Sequence, residues 1–378
     1  MIYLDNAASS HPKPQTVYDS VQEALKTGAN PGRSGHTLAL NASRYILSSR
    51  EGVARLIGAT SASRVIFTSN ATHAINQTLQ GFLREGDHVV SSAMEHNSVL
   101  RPLHALEAQG ISHTLVEADG AGVIDIDKVA DAITPRTRLV ALTHASNVTG
   151  ALLDIERAGE LCRARGVKFL LDASQSLGAI PIDVVASGVD MLAAPGHKGL
   201  LGPQGTGILY VGEGVELKPL ITGGTGFASE SREMPDELPE ALEAGTLNTP
   251  GIAGLGAGVE YLLSRTVEDI RADELEIIEY LIEELPKVPD LTLYGPRDPS
   301  KRLAVFAFNI KGVDGAHVGY TLDEVYGIAV RVGLHCAPDA HKAIDAFPVG
   351  TVRASFGPFN TIHDAKKLVE ALTMIASL

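Results

Sequence analysis

Between residues 60 and 215, short apolar runs alternate with longer stretches of helical periodicity. That alternation restricts the fold more than any other feature of the chain. The runs fall at 65–68, 88–92, 113–117, 139–143, 169–172, 191–194 and 207–211, with helix-like stretches at 71–83, 98–108, 126–132 and 155–165. Parallel neighbours need crossovers of about a dozen residues, and the gaps are long enough. The reading is α/β: a largely parallel seven-stranded sheet covered by helices on both faces. Ligands in such sheets bind beyond the carboxyl ends of the strands. Polar residues gather just after several runs, so a site is expected along that edge.

Residues 213–250 are irregular and rich in Gly, Glu and Pro, as in a long functional loop or an arm reaching a partner subunit. A helical pattern then runs from Gly251 to about Leu285. Strand candidates follow at 291–294, 305–310, 328–332 and 352–356, with helices near 315–326 and 362–376. This mixture predicts a smaller α+β C-terminal domain over 251–378. A large domain is expected over 21–250, and an N-terminal segment over 1–20 packing with the small one.

Composition narrows the function classes. A chain of 378 residues that is 44% hydrophobic can bury a sizeable core. Its net charge of -14 makes it a poor generic binder of nucleic acid or anionic membrane. The apolar runs are too short and broken to span a bilayer, and the start Met1-Ile2-Tyr3-Leu4-Asp5-Asn6 lacks the pattern of a signal peptide. The two cysteines, Cys162 and Cys336, provide neither a disulfide framework nor a four-cysteine metal site, and no metal is expected. A reduced, cytoplasmic protein is the simplest reading.

Lys198 sits in Ala194-Pro195-Gly196-His197-Lys198-Gly199, after the run that ends at Asp172. A lysine in such a setting can form an imine with an aldehyde, and a strand-end carboxylate can protonate a pyridine nitrogen. Together they suggest pyridoxal 5'-phosphate, although Asp172 alone would serve equally as a helix cap. Ser69-Asn70-Ala71-Thr72-His73 opens a helical stretch whose free N–H groups suit a phosphate, or simply carries a cap. His96, in Met94-Glu95-His96-Asn97-Ser98, could stack on an aromatic ring or be an ordinary loop histidine. Cys336 stands in Arg331-Val332-Gly333-Leu334-His335-Cys336-Ala337-Pro338. A nearby cation would favour its nucleophilic thiolate; the alternatives are an inert thiol or a lone metal ligand. Cys162 falls in a helical stretch where an inert thiol is expected. Arg353, alone in an apolar strand, calls for a carboxylate from a structural Asp or Glu or from an amino-acid substrate.

These motifs, in this order over nearly the whole chain, resemble the class V aminotransferase-like cysteine desulfurases, in the branch with sulfur-mobilising desulfurases and selenocysteine lyases. Tyr3-Leu4-Asp5-Asn6-Ala7-Ala8, Ala71-Thr72, Glu95-His96, Ser146-Asn147-Val148-Thr149-Gly150, Asp172-Ala173-Ser174-Gln175, Gly196-His197-Lys198, Glu243-Ala244-Gly245-Thr246 and Arg353-Ala354-Ser355-Phe356 carry the resemblance. It implies a fold-type I pyridoxal phosphate enzyme and a homodimer. Lys198 would hold the cofactor, Asp172 its ring nitrogen and Gln175 its ring hydroxyl, with His96 stacked on the ring. Thr72 and His197 would hold the phosphate, with Ala71 and Asn147 further cofactor contacts and Thr246 reaching in from the other subunit. Asn147 and Arg353 would bind the substrate carboxylate. Lys198 and His96 would move protons, and Cys336 would take sulfur from L-cysteine as a persulfide, leaving L-alanine, before passing it to an acceptor protein.

The pattern departs at Pro195, where related sequences carry a hydroxyl, so one phosphate contact is missing or supplied elsewhere. The short interval from Cys336 to Arg353 implies a compact cysteine loop. Alternatives are a selenocysteine lyase, another lyase, epimerase or transaminase of the same fold, and a non-catalytic sulfur-relay scaffold.

Overall fold

The computed structural model describes residues 1–31, 35–227 and 229–377. Strand β1 (Ile2–Tyr3) is followed by the seven strands expected from the apolar runs: β2 (Val65–Thr68), β3 (His88–Ser92), β4 (Ser112–Val116), β5 (Thr137–Thr143), β6 (Lys168–Asp172), β7 (Met191–Pro195) and β8 (Gly207–Val211). They form one sheet in the order β2-β8-β7-β6-β5-β3-β4. β4, β3, β5, β6 and β7 run parallel, while β8 is antiparallel to both its neighbours.

Side chains alternate between two cores. Val140, Leu142, Phe169, Leu171, Leu192 and Ala194 face one; Leu139, Ala141, Leu170, Met191 and Ala193 face the other. A strand buried on both faces reads as continuous apolar sequence, which explains why these runs were so visible. The crossover helices carry clear start signals: Asn70 accepts from His73 N at 2.9 Å and Asp154 from Arg157 N at 3.0 Å.

Two helices, Gln15–Thr27 and Thr37–Leu56, lie outside the expected pattern. The second buries only two large apolar residues, Ile46 and Val53, among Ala39, Ala42, Ser49, Arg50, Gly52 and Ala54, which dilutes its apolar stripe. It packs on the Gly-rich helix Thr249–Arg265, where Ser49 Oγ donates to Ile252 O at 2.9 Å. The long helical pattern after Gly251 is two helices, broken at Thr266 with φ of 69°; Thr266 then caps Val267–Glu284.

The C-terminal part holds β9 (Leu291–Leu293), β10 (Val305–Ile310), β11 (Ile328–Ala329), β12 (Arg331–Gly333) and β13 (Thr351–Ser355). β12, β13, β10 and β9 form an antiparallel sheet in that order, and β11 pairs in parallel with β1. The single strand expected at 328–332 is thus two strands in different sheets. Phe306, Phe308, Val352, Leu368 and Leu372 form this region's core, and Leu4 joins it.

Arg302 ties the two regions together. It is fully buried, and its guanidinium donates to Pro296 O at 2.8 Å, Thr149 O at 3.2 Å and Val305 O at 2.6 Å. It also lies 4.2 Å from the Phe306 ring centroid. Burial pushes it down to about 9. Gly150, with φ of 75°, completes the junction: a Cβ there would sit 2.8 Å from Val305 O. Arg302→Met should strand three buried carbonyls at roughly 1–3 kcal/mol each, a loss of about 3 kcal/mol or more. Urea unfolding reads this directly; an unchanged midpoint would mean that these bonds contribute nothing net.

Candidate active site

Lys198, Asp172, His96, Cys336 and Arg353 belong to five separate segments, yet they share one site at the carboxyl ends of β6 and β7. Asp172 ends β6 and is buried; its Oδ1 accepts from Ser174 N at 3.0 Å. Among the described residues it has no ion-pair partner, so a buried carboxylate stands ready for a cation. Lys198 lies in the turn after β7, and its amine makes no hydrogen bond among the described residues. It keeps part of its surface open, but burial lowers its amine to about 8. Asp172 opposes that shift, while Arg353 and Arg331 reinforce it.

His96 caps the helix Asn97–Glu107, its Nδ1 accepting from Ser98 N at 3.0 Å. Burial, then Lys198, hold it down to about 4, so it is neutral at pH 7. Ser98 Oγ is 2.8 Å from that nitrogen and 2.7 Å from Thr72 Oγ1, which links His96 to the start of the helix Ala71–Phe82. Ala71 is buried and Thr72 exposed there, beside the free N–H groups of the helix terminus. The buried Nδ1 of His197 has no partner, and burial holds that ring down to about 4. Gln175 donates to Ala7 O at 3.1 Å and lines, with Lys198, a cavity of about 60 Å³ behind the lysine.

Arg353, in β13, is 1% exposed. It donates to Asn147 O at 2.9 Å and to Asp5 Oδ1 at 2.9 Å. Of the two carboxylates the sequence allowed for, the structural one is present and is Asp5. The buried Nε of Arg353 has no partner, which leaves one donor for a further anion. Asn147 Nδ2 donates to His335 O at 2.7 Å, and Asn97 N donates to Cys336 O at 2.9 Å. Cys336 is exposed, and Arg331 Nη2 lies 3.9 Å from its Sγ. Cys162 is buried and its thiol is pushed up to about 12 by burial.

Thr246 is not brought here. It is exposed and lines a separate groove of about 350 Å³ with Asn30, Arg50 and Glu243. Glu243 anchors it: Arg50 pairs with Glu243 through both oxygens, and Phe67 N donates to Oε1 at 2.6 Å.

Three site residues escaped the sequence reading. Asp5 is the ion-pair partner of Arg353, and Arg331 flanks Cys336. Glu95 is fully buried near Asp172; burial pushes it up to about 8 against hydrogen bonds from Ser92 Oγ at 2.6 Å and Thr143 N at 3.0 Å. Asp5 could not be found locally because its partner is 348 positions away, whereas Arg331 and Glu95 stand within five residues of Cys336 and Ser92 but carry no motif of their own that marks these roles.

The chain matches the aminotransferase class V family over residues 2–368. It belongs to that family. A probable cysteine desulfurase of Methanothermobacter thermautotrophicus is 39% identical, the match covering all of this chain and 95% of the relative. A cysteine desulfurase of Salmonella agona is 36% identical, covering all of this chain and 94% of the relative. Among solved structures, the apo cysteine desulfurase of Thermococcus onnurineus NA1 superposes with a TM-score of 0.92 at 32% identity, covering 100% of this chain and 94% of that one. A cysteine desulfurase of Escherichia coli, solved in an S-sulfonic acid form, superposes with a TM-score of 0.88 at 29% identity, covering 99% and 94%. The class V assignment agrees with the large, mostly parallel α/β sheet. No described helix is long and apolar enough to cross a membrane, and no described cluster of three or more His, Cys, Asp or Glu could hold a metal.

Proposed function

We infer that this class V chain is a pyridoxal phosphate-dependent cysteine desulfurase, which moves the sulfur of L-cysteine onto Cys336 and releases L-alanine. The observation that carries the reading is an exposed thiol tied by its own loop to the segments of His96 and Asn147, above an unpaired amine and an unpaired buried carboxylate. The residues fit the cofactor. Asp172 lacks the cation that a ring N–H would supply, and His197 Nδ1 lacks a partner. Lys198, Asp172, Gln175, His96, His197, Asn147, Ala71 and Thr72 would hold it, with Thr246 contributed by a second copy of the chain. Thr72 and the N–H groups of its helix offset the hydroxyl that Pro195 lacks. When bound, the cofactor withdraws electrons from the substrate α-carbon and weakens the bonds around it.

The chain's own groups do the rest. Arg353 orients the substrate carboxylate through its free Nε and the donor now held by Asp5. Lys198, with its amine lowered to about 8, has a neutral fraction at physiological pH that takes the α-proton and later returns one. His96, neutral, passes a proton at its ring edge. The Cys336 thiolate attacks the substrate sulfur: an S–S bond forms, the C–S bond breaks, and the carbon side keeps the electron pair and is protonated to alanine. The thiol sulfur is oxidised and the substrate carbon reduced, so atoms and electrons balance. An acceptor thiol on another protein then discharges the persulfide. A homodimer, a cytoplasmic site of action and boundaries near residues 20 and 250 complete the reading.

Mass spectrometry after exposure to L-cysteine tests it. A gain of one sulfur atom on the peptide containing Cys336 is expected. Alanine release with no added sulfur, or sulfur on Cys162 instead, would sink the assignment.

A further inference from the structure

Two buried histidines flank the cysteine loop and have no part in the steps above. His335 Nε2 lies 3.1 Å from both Thr351 O and Thr351 Oγ1. His341 Nδ1 lies 2.9 Å from Ala337 O, and its Nε2 3.2 Å from the same Thr351 Oγ1. All three side chains are within 3% of complete burial.

The partners fix the protons. A carbonyl accepts only, so His335 carries its proton on Nε2 and His341 carries its own on Nδ1. His341 Nε2 is then a bare acceptor and takes the Thr351 hydroxyl proton. The hydroxyl oxygen in turn receives His335 Nε2–H. One arrangement satisfies all four contacts, with both rings neutral and Thr351 as the hinge between them.

This chain holds a backbone that would otherwise relax. His335 and Cys336 have φ of 49° and 59°, two successive left-handed residues without glycine. Each such residue costs about 1–2 kcal/mol. Every carbonyl along the turn is tied: Leu334 O accepts from Ala337 N, His335 O from Asn147, Cys336 O from Asn97 N and Ala337 O from His341. The first three anchors are backbone groups or lie on the substrate side. The histidine pair, joined through Thr351 of β13, adds side-chain bonds at the far end of the turn. β13 also carries Arg353, two residues on.

We propose that Thr351 and His341 are positioning residues for the sulfur-accepting step, holding Cys336 in its left-handed turn at a fixed height above Lys198 through the His335–Thr351–His341 hydrogen-bond chain. The proposal rests on Cys336 as the sulfur acceptor.

Thr351→Val keeps the side chain's shape and removes its hydroxyl. In the cofactor-loaded protein, kcat for alanine formation from L-cysteine should fall about tenfold or more while KM stays within about twofold, because the substrate's carboxylate and amine are bound elsewhere. Thr351→Ser, which keeps the hydroxyl, should restore kcat to within about threefold of the parent. Backbone amide exchange across residues 334–337 should quicken in the valine variant and not in the serine one. An undiminished kcat in Thr351→Val, equal losses in both variants, or unchanged amide exchange would overturn the proposal. His341→Phe breaks the chain from its other end, and should reproduce the kcat loss and faster exchange if the valine variant does not fold. A parent protein that forms no alanine from L-cysteine would instead overturn the desulfurase reading, and the amide exchange would still decide whether Thr351 braces the loop.

Discussion

Lys198→Ala should leave a folded protein that forms alanine from L-cysteine at least ~10³-fold more slowly, the scale of losing a positioned proton-transfer group together with a covalent anchor. The amine has no hydrogen bond to lose among the described residues, and burial penalises its charge, so its removal should not destabilise the fold. The sign follows from the lowered value of about 8 against an ordinary 10.5. Below pH 8 the amine is protonated in both folded and unfolded chains, and its burial cost is fully present. Between about 8 and 10.5 the folded chain has released the proton and the unfolded chain has not, so stability rises with pH across that window in the cofactor-free parent. The alanine variant should lack this rise. Cofactor uptake by the cofactor-free parent needs the neutral amine, so its rate should climb through pH 8. Absorbance spectra read uptake, and thermal unfolding at several pH values reads stability. Turnover by the variant comparable to the parent would remove Lys198 from the mechanism.

Cys336→Ser should retain the cofactor and lose sulfur release from L-cysteine by about 10³-fold or more, since an alcohol cannot replace the thiolate as sulfur acceptor. Its exposure and its place in a turn outside the cores mean that stability should barely change. Cys162→Ser is the matched control: that thiol is buried, pushed up to about 12, and far from any role as a thiolate. It should cost stability rather than turnover. Alanine and sulfide assays, run side by side on the two variants, separate the effects. Retained turnover of selenocysteine in Cys336→Ser, with cysteine turnover lost, would move the assignment toward a selenocysteine lyase.

Most of the seven strands were legible because they are buried on both faces and so read as apolar runs; the edge strand β4, with Thr114 exposed and only Val116 buried, was legible from its spacing after the helix before it. The site was legible where one short motif holds both a reactive group and the turn that presents it, as at Gly196-His197-Lys198 and Leu170-Leu171-Asp172. It was not legible where two distant segments share one function. Arg353 advertised a need for a carboxylate, but nothing near Asp5 said that it would supply one from 348 positions away. Arg331 was hidden because the run 328–332 reads as one strand. Only its division between β1 and β13 turns that arginine toward Cys336. The helix Thr37–Leu56 was missed for the opposite reason, since on its buried face Ile46 and Val53 are separated by Ala, Ser, Gly and Arg50, and the stripe is mixed.

The first residues of the chain have a consequence for how substrates are chosen. Asp5 holds Arg353, Ala7 O receives Gln175, and Ser10 N donates to His197 O at 3.0 Å. With Arg353 as the carboxylate clamp, an arriving amino acid does not bring a new charge into a neutral interior. It swaps one anion for another at a guanidinium that is already neutralised. Such an exchange leaves the electrostatic balance of the interior unchanged, and it sets a threshold: a ligand must outcompete a tethered carboxylate at high effective concentration. Weakly basic anions and carboxylates without a second point of attachment should therefore be poor competitors. The selectivity for amino acids would then reside as much in a displaced aspartate as in the arginine that greets them.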